Sequence, residues 1–186
     1  MEAVAVAHPD RRIGLGFEDE MRVGPKGRTG HRWWVRGERP RGLRRQGYGW
    51  AHLSGAVRPA TGEGFALVLP EVSTAAMQVF LDRFAATLAS GVHGAMVLDR
   101  AGWHGARHLA VPPNITLVPL PPYSPELNPV ERVWLYLRER FLSHRVLDGY
   151  KAVLDAACDA WNALAAETGR LASLTAYPYL LRSELR

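Results

Sequence analysis

Near Ser73 the hydrophobic pattern of the chain changes period, and that change limits its possible folds more than any other feature. Before it, apolar residues alternate: Arg12 to Glu20 (RIGLGFEDE) puts Ile13, Leu15 and Phe17 on one side and glycines on the other, as in a strand that ends in acid. His31–Arg36 (HRWWVR), Gly47–Val57 and Gly64–Pro70 read as further strands, with turns at Gly24–Gly30 and at a Pro-Ala-Thr-Gly stretch. After it, Ser73 to Ala89 places Ala76, Met77, Phe80, Leu81, Phe84 and Leu88 at helical spacing, with Ser73 or Thr74 as N-cap. Gly94–Asp99 (GAMVLD) is a short apolar run closed by an aspartate, which predicts a buried strand whose C-terminal end opens on a site. A short helix over Trp103–Ala110, a strand over Asn114–Leu120 and helices from Asn128 to Leu142 and from Asp148 to Glu167 complete the pattern.

Three or four antiparallel strands, then helix, strand, helix, strand and helix, describe a mixed sheet covered by helices. This order predicts an α/β, ribonuclease-H-like fold: a mixed five-stranded sheet with helices on both faces. The expected organisation is an N-terminal extension over 1–11, the catalytic domain over 12–170 and a C-terminal tail over 171–186. With 47% hydrophobic and 22% charged residues, the chain has the balance of a globular protein and not of a disordered one. Its single cysteine, Cys158, excludes an internal disulfide framework and a cysteine-based zinc site, and fits a reducing, cytoplasmic setting. No apolar run approaches the roughly 18 residues that span a bilayer, and no signal peptide is read at the N-terminus.

Three acids sit where that topology would bring them together. Asp19 ends the first strand, Asp99 ends the strand after the first long helix, and Glu131 lies in the first turn of a later helix. Clustered carboxylates repel one another and need positive charge between them. Two divalent cations about 3.5–4 Å apart supply it, with DNA phosphate completing their coordination. Oxygen-only ligands select magnesium or manganese over zinc. Each acid also has a plainer reading. Asp19 could belong to a solvated acidic turn, although its phase with Ile13, Leu15 and Phe17 points it toward the packed side. Asp99 could cap the segment after it. With Asn128 as N-cap and Pro129 at the first helical position, Glu131 occupies the place of a capping-box glutamate, and spacing does not separate cap from catalyst.

Pro119 to Leu137 reads PLPPYSPELNPVERVWLYL. This segment resembles the DDE transposases of the mariner-like superfamily, in particular their bacterial insertion-sequence branch, through Pro121, Pro122, Tyr123, Ser124, Pro125, Leu127, Asn128, Pro129, Glu131 and Trp134. Phe17-Glu18-Asp19-Glu20 is similar to the family's first-acid motif. Val97-Leu98-Asp99-Arg100-Ala101 with His104 is similar to its second-acid motif and trailing histidine, with Arg100 where the family often has asparagine. The Trp33–Pro40 pieces look like its second hairpin, and the interval from Asp99 to Glu131 is close to the family's spacing. The resemblance runs from about residue 12 to residue 181. It implies that Asp19, Asp99 and Glu131 are catalytic and hold Mg2+ or Mn2+, two ions in all. The reaction implied is hydrolysis at the element's ends followed by strand transfer in DNA transposition. His104 and Asn128 become candidate substrate contacts. A ribonuclease-H-type nuclease, or a truncated, inactive derivative that only binds DNA or a partner, are the alternatives.

The formal net charge of +5 is unevenly spread. Arg28, Arg32, Arg36, Arg39, Arg41, Arg44 and Arg45 crowd one early segment, interleaved with Trp33, Trp34, Tyr48 and Trp50. The arginines are expected to hold DNA backbone, and the tryptophans to join the core. Family members carry N-terminal helix-turn-helix domains, for which a first strand at residue 12 leaves no room. A separate or frameshift-fused helix-turn-helix part is therefore an expected partner. The other expectations are DNA at the element ends and the target, a homodimer when active, no membrane, and the bacterial nucleoid as the site of action.

Overall fold

The computed structural model describes residues 2–25, 33–38 and 49–183. Five strands form one mixed sheet: β1 (Arg12–Val23), β2 (Ala51–Arg58), β3 (Glu63–Leu69), β4 (Val92–Leu98) and β5 (Ile115–Pro119), in the order β3-β2-β1-β4-β5. The first three are antiparallel neighbours, while β4 runs parallel to both β1 and β5. β1 is therefore central, and every residue of β4 is buried, His93 included, as its otherwise apolar sequence favours.

Alternation along β1 assigns its side chains to two cores. Phe17, Met21 and Val23 face a layer made by α3 (Val130–Leu137), α4 (Gly149–Ala166) and α5 (Arg170–Thr175). The opposite face of the sheet packs under α2 (Thr74–Ala85) through Met77, Phe80, Leu81 and Phe84. α2 starts where the sequence places it, with Ser73 Oγ accepting from the Ala76 N–H at 3.2 Å. Two short end helices, α1 (Glu2–Ala7) and α6 (Pro178–Ser183), bury Val4 and Leu180, and Leu171 of α5 joins the core. Leu171 and Leu180 belong to the same core cluster as α3 and α4.

Three expected elements differ. The described part of the His31–Arg36 strand, Trp33 to Arg36, is irregular chain and turn outside the five-stranded sheet, with its side chains exposed. Trp33 and Trp34 are exposed and not core, whereas Trp50 lies beneath the Arg22 guanidinium. Trp103–Ala110 forms turns and not a helix: Gly102 and Gly105 weaken helical propensity, and the side chains of Trp103 and His104 are tied back to β1. The expected Asn128–Leu142 helix is α3 followed by a wider π turn over Arg138–Leu142.

Candidate active site

Asp19 lies near the C-terminal end of β1, opposite Gly55 of β2. The parallel pairing of β1 with β4 runs in register up to Phe17 and Val97, and Asp19 and Asp99 each follow two residues later. Neighbouring strands therefore deliver both aspartates to the same edge of the sheet. Asp19 shares the face of Phe17 and Met21, as its phase predicts, and looks toward α3. There the Trp134 indole donates from Nε1 to Asp19 Oδ2 at 2.9 Å. Gly55 makes the space, since a Cβ at that position would stand 2.6 Å from the rim of the Trp134 ring. Burial first, and then the charge of Glu131, push the Asp19 carboxyl up to about 7, against the lowering effect of the Glu20 amide and Trp134.

The position of Glu131 is set by the segment before it. Asn128 is buried, its Nδ2 donating to the Glu18 carbonyl at 2.9 Å and its Oδ1 accepting from the Val130 N–H at 3.1 Å. These two bonds dock the start of α3 on β1. The Asn128 N–H itself donates to the Pro125 carbonyl at 2.9 Å, so it is not available for a capping-box bond from Glu131. Glu131 is exposed in the first turn of α3, one helical turn before Trp134. The Asn128 amide, expected as a candidate substrate contact, is spent on the backbone.

The other face of β1 carries a second acidic group. Glu18 and Glu20 alternate away from Asp19 and meet His104, whose Nε2 lies 3.3 Å from Glu20 Oε1 and 3.5 Å from Glu18 Oε2. The opposite ring nitrogen, Nδ1, is 2.9 Å from Asp99 Oδ1. His104 is 5% exposed, so the ring expected to touch substrate lies behind Asp99. Burial alone would depress its pKa; the hydrogen bond and charge of Glu20, and then Asp99, more than offset this and raise it. Glu18 is pushed well above the usual carboxylate range by burial, then by Glu20, Asp19 and Asp99. Arg100, where asparagine is common in the family, donates from Nε to the Leu120 carbonyl at 2.8 Å and ties the ends of β4 and β5 together.

Among the described residues, Glu18, Glu20 and His104 bring their ligand atoms close enough together to hold a cation, whereas Asp19, Asp99 and Glu131 do not form such a cluster. Asp19, Asp99 and Glu131 offer only carboxylate oxygens, and the Asp19 carboxyl is raised by burial first and by the charge of Glu131 second. An oxygen-only donor set of this kind fits a hard divalent cation. Glu18, Glu20 and His104 offer ligand atoms within 4.8 Å of one another, but they are buried or nearly so. Sequence reasoning left Glu18, Glu20 and the Trp134 indole without a role. Strict alternation was the available signal, because it places Glu18 and Glu20 together on the face opposite Asp19. Of the expected DNA-binding arginines, Arg36 is exposed, while Arg28, Arg32, Arg39, Arg41, Arg44 and Arg45 lie outside the described residues.

A family profile described as DDE superfamily endonuclease matches residues 15–153. A curated relative, the uncharacterized protein y4pE/y4sA of Sinorhizobium fredii (strain NBRC 101917 / NGR234), is 45% identical over 125 residues, 67% of this chain and 93% of that protein. Among solved structures, the chain is similar to the Mos1 mariner paired end complex with Mn, with TM-score 0.66 and 17% identity over 94% of this chain and 55% of that one. The Mos1 strand transfer complex matches with TM-score 0.59 and 20% identity, over 94% and 54% of the two chains. The chain thus spans about half the length of the Mos1 chains it matches. At such identities the likeness is one of fold, and the fold is ribonuclease-H-like, as the order of elements predicted.

Proposed function

The chain belongs to the family of DDE superfamily endonucleases, and on that premise we propose that it is the catalytic domain of a bacterial insertion-sequence transposase. It would cut DNA phosphodiesters at the ends of the element and join the freed 3′-hydroxyl to target DNA. One observation carries this reading: Asp19 feels the charge of Glu131 on α3, while Asp99 ends the strand beside it.

Asp19, Asp99 and Glu131 would hold two Mg2+ or Mn2+ ions, in keeping with the Mos1 complexes of similar fold described with Mn and with Mg. When bound, such cations supply the positive charge that activates an attacking oxygen and stabilises the leaving one. The chain's own task is placement. Trp134 holds Asp19 Oδ2, Asn128 holds the start of α3 against β1, and prolines at 121, 122, 125 and 129 restrict the segment between β5 and Glu131. Arg28, Arg32, Arg36, Arg39, Arg41, Arg44 and Arg45 would neutralise backbone phosphate with little sequence discrimination. Recognition of the element's ends would fall to a helix-turn-helix part, separate or frameshift-fused, and two copies would act on paired ends.

The test is to incubate the purified chain, alone and fused to the upstream reading frame, with end-bearing DNA and Mg2+ or Mn2+. Nicked and joined products are expected, and Asp99→Ala and Glu131→Ala should abolish both. Activity that survives these changes would refute the assignment. Cut products without joined ones would indicate a ribonuclease-H-type nuclease, and inactivity of the fusion would indicate a decayed derivative.

A further inference from the structure

We propose that His104 is a positioning residue: its ring, held through Nδ1 on the Asp99 carbonyl and standing 2.9 Å from Asp99 Oδ1, fixes the Asp99 carboxylate so that one oxygen is presented to a divalent cation, and Glu20 fixes the ring from behind. The inference rests on the reading of Asp99 as a cation ligand and goes beyond it.

Asp99 ends β4 with its side chain 59% exposed. A carboxylate so placed is free to turn about its side-chain torsions. Here the Ala101 N–H donates to Oδ1 at 2.8 Å, and His104 Nδ1, which is 3.3 Å from the Asp99 carbonyl as its hydrogen-bond partner, stands 2.9 Å from the same Oδ1. Oδ2 is left for a cation. The loop that carries the histidine is closed on itself by the His104 N–H, which donates to the Ala101 carbonyl at 3.0 Å.

The ring is held from its other side. Its Nε2 faces Glu20 Oε1 at 3.3 Å, and the Trp103 indole donates to that same oxygen at 2.8 Å. Carboxylate oxygens only accept, so the imidazole lies between acceptors at both nitrogens and its tilt is fixed by both. Trp103, Glu20 and His104 thereby link the interior of β1 to the exposed end of β4. Glu18 stands behind the ring, fully buried, with neither carboxyl oxygen hydrogen-bonded among the described residues. Folding alone does not favour such a group, and at 3.5 Å from Nε2 its negative charge or dipole bears on His104.

The rival reading puts a cation among Glu18, Glu20 and His104. The Trp103 bond already made to Glu20, and the closure of the cluster from solvent, favour the hydrogen-bonded arrangement.

The test measures Mn2+ binding to the full chain by electron paramagnetic resonance, with melting in EDTA as the control for folding. His104→Asn keeps a donor near the position of Nδ1; His104→Gln keeps a polar atom toward Glu20 and loses that donor. We expect the Gln change to weaken Mn2+ binding about 10- to 100-fold and the Asn change to stay within roughly 3-fold of the parent, with both variants melting alike. Equal affinity in all three chains, or an Asn variant as weak as the Gln variant, overturns the proposal. So does a Glu18→Gln change that abolishes binding as completely as Asp99→Asn, since the cation would then lie in the buried cluster. Undiminished binding by Asp99→Asn is a separate failure, that of Asp99 as a ligand.

Discussion

The Trp134 indole reaches across from α3 and donates to Asp19 Oδ2 at 2.9 Å, one helical turn beyond Glu131. Helix and strand are thus locked together at the point where two of the three acids meet. The contact depends on Gly55, because β2 must pass beside Asp19 without a side chain where the indole lies.

Gly55→Ala should therefore act on the site through Trp134. The added methyl would sit 2.6 Å from the ring and must displace it. A loss of about 1–3 kcal/mol in stability is expected from overpacking, with DNA nicking reduced further than stability alone explains. Denaturant melts and nicking assays on the same preparation check this. Parent-like nicking would show that the indole does not matter to Asp19.

Asp19 makes stability depend on pH. In the folded chain its carboxyl titrates near 7, against a value of 3.8 for the unperturbed group. Between these values the folded state holds a proton that the unfolded state has lost, so in EDTA stability falls as pH rises from about 4 to about 7, and the raised Glu18 and His104 add losses of the same sign. A cation takes the place of that proton. The rise in melting temperature on adding Mn2+ should be larger at about pH 8 than at about pH 5.5, which calorimetry would measure. A larger rise at the lower pH would contradict the origin given for the shift.

Asn128→Ala removes the partner of the buried Glu18 carbonyl and of the Val130 N–H. We expect a loss of about 1–3 kcal/mol. Asn128→Asp restores the acceptor for Val130 but turns an oxygen toward the Glu18 carbonyl, and should be no better. Chemical denaturation measures both. If either variant is as stable as the parent, Asn128 does not dock α3.

Much of this was legible in the sequence because two periodicities carry it. Alternation in RIGLGFEDE fixes the face of Asp19, and the apolar run before Asp99 fixes a buried strand. The role of Glu131 was not legible, since a glutamate at the third helical position suits a cap and a catalyst equally. The Pro125 carbonyl decides against the cap by taking the Asn128 N–H, a contact made by the local fold of the turn and not by spacing. The His31–Arg36 strand failed because a short run of aromatic and β-branched residues suits an exposed turn as well as a strand, and Trp33 to Arg36 are exposed. For His104, a substrate contact and a structural histidine stay equally open in the sequence, because distance along the chain says nothing about which way a loop turns its ring.

The arginine-rich segment makes a claim about salt. Each phosphate contact contributes about 0.9 to the slope of log affinity against log salt. Replacing Arg39, Arg41, Arg44 and Arg45 with alanine should lower that slope by roughly 3 to 4 if all four touch phosphate, with similar losses on unrelated sequences. Fluorescence anisotropy across a salt series is the measurement. An unchanged slope would remove these four from the DNA contact.

The most direct measurement is the anomalous scattering of manganese in crystals of the chain grown or soaked with Mn2+. Density bridging the carboxylates of Asp19, Asp99 and Glu131 is the expected result. Manganese bound only at Glu18, Glu20 and His104, or at a place that leaves any of the three rim acids uncoordinated, would contradict it.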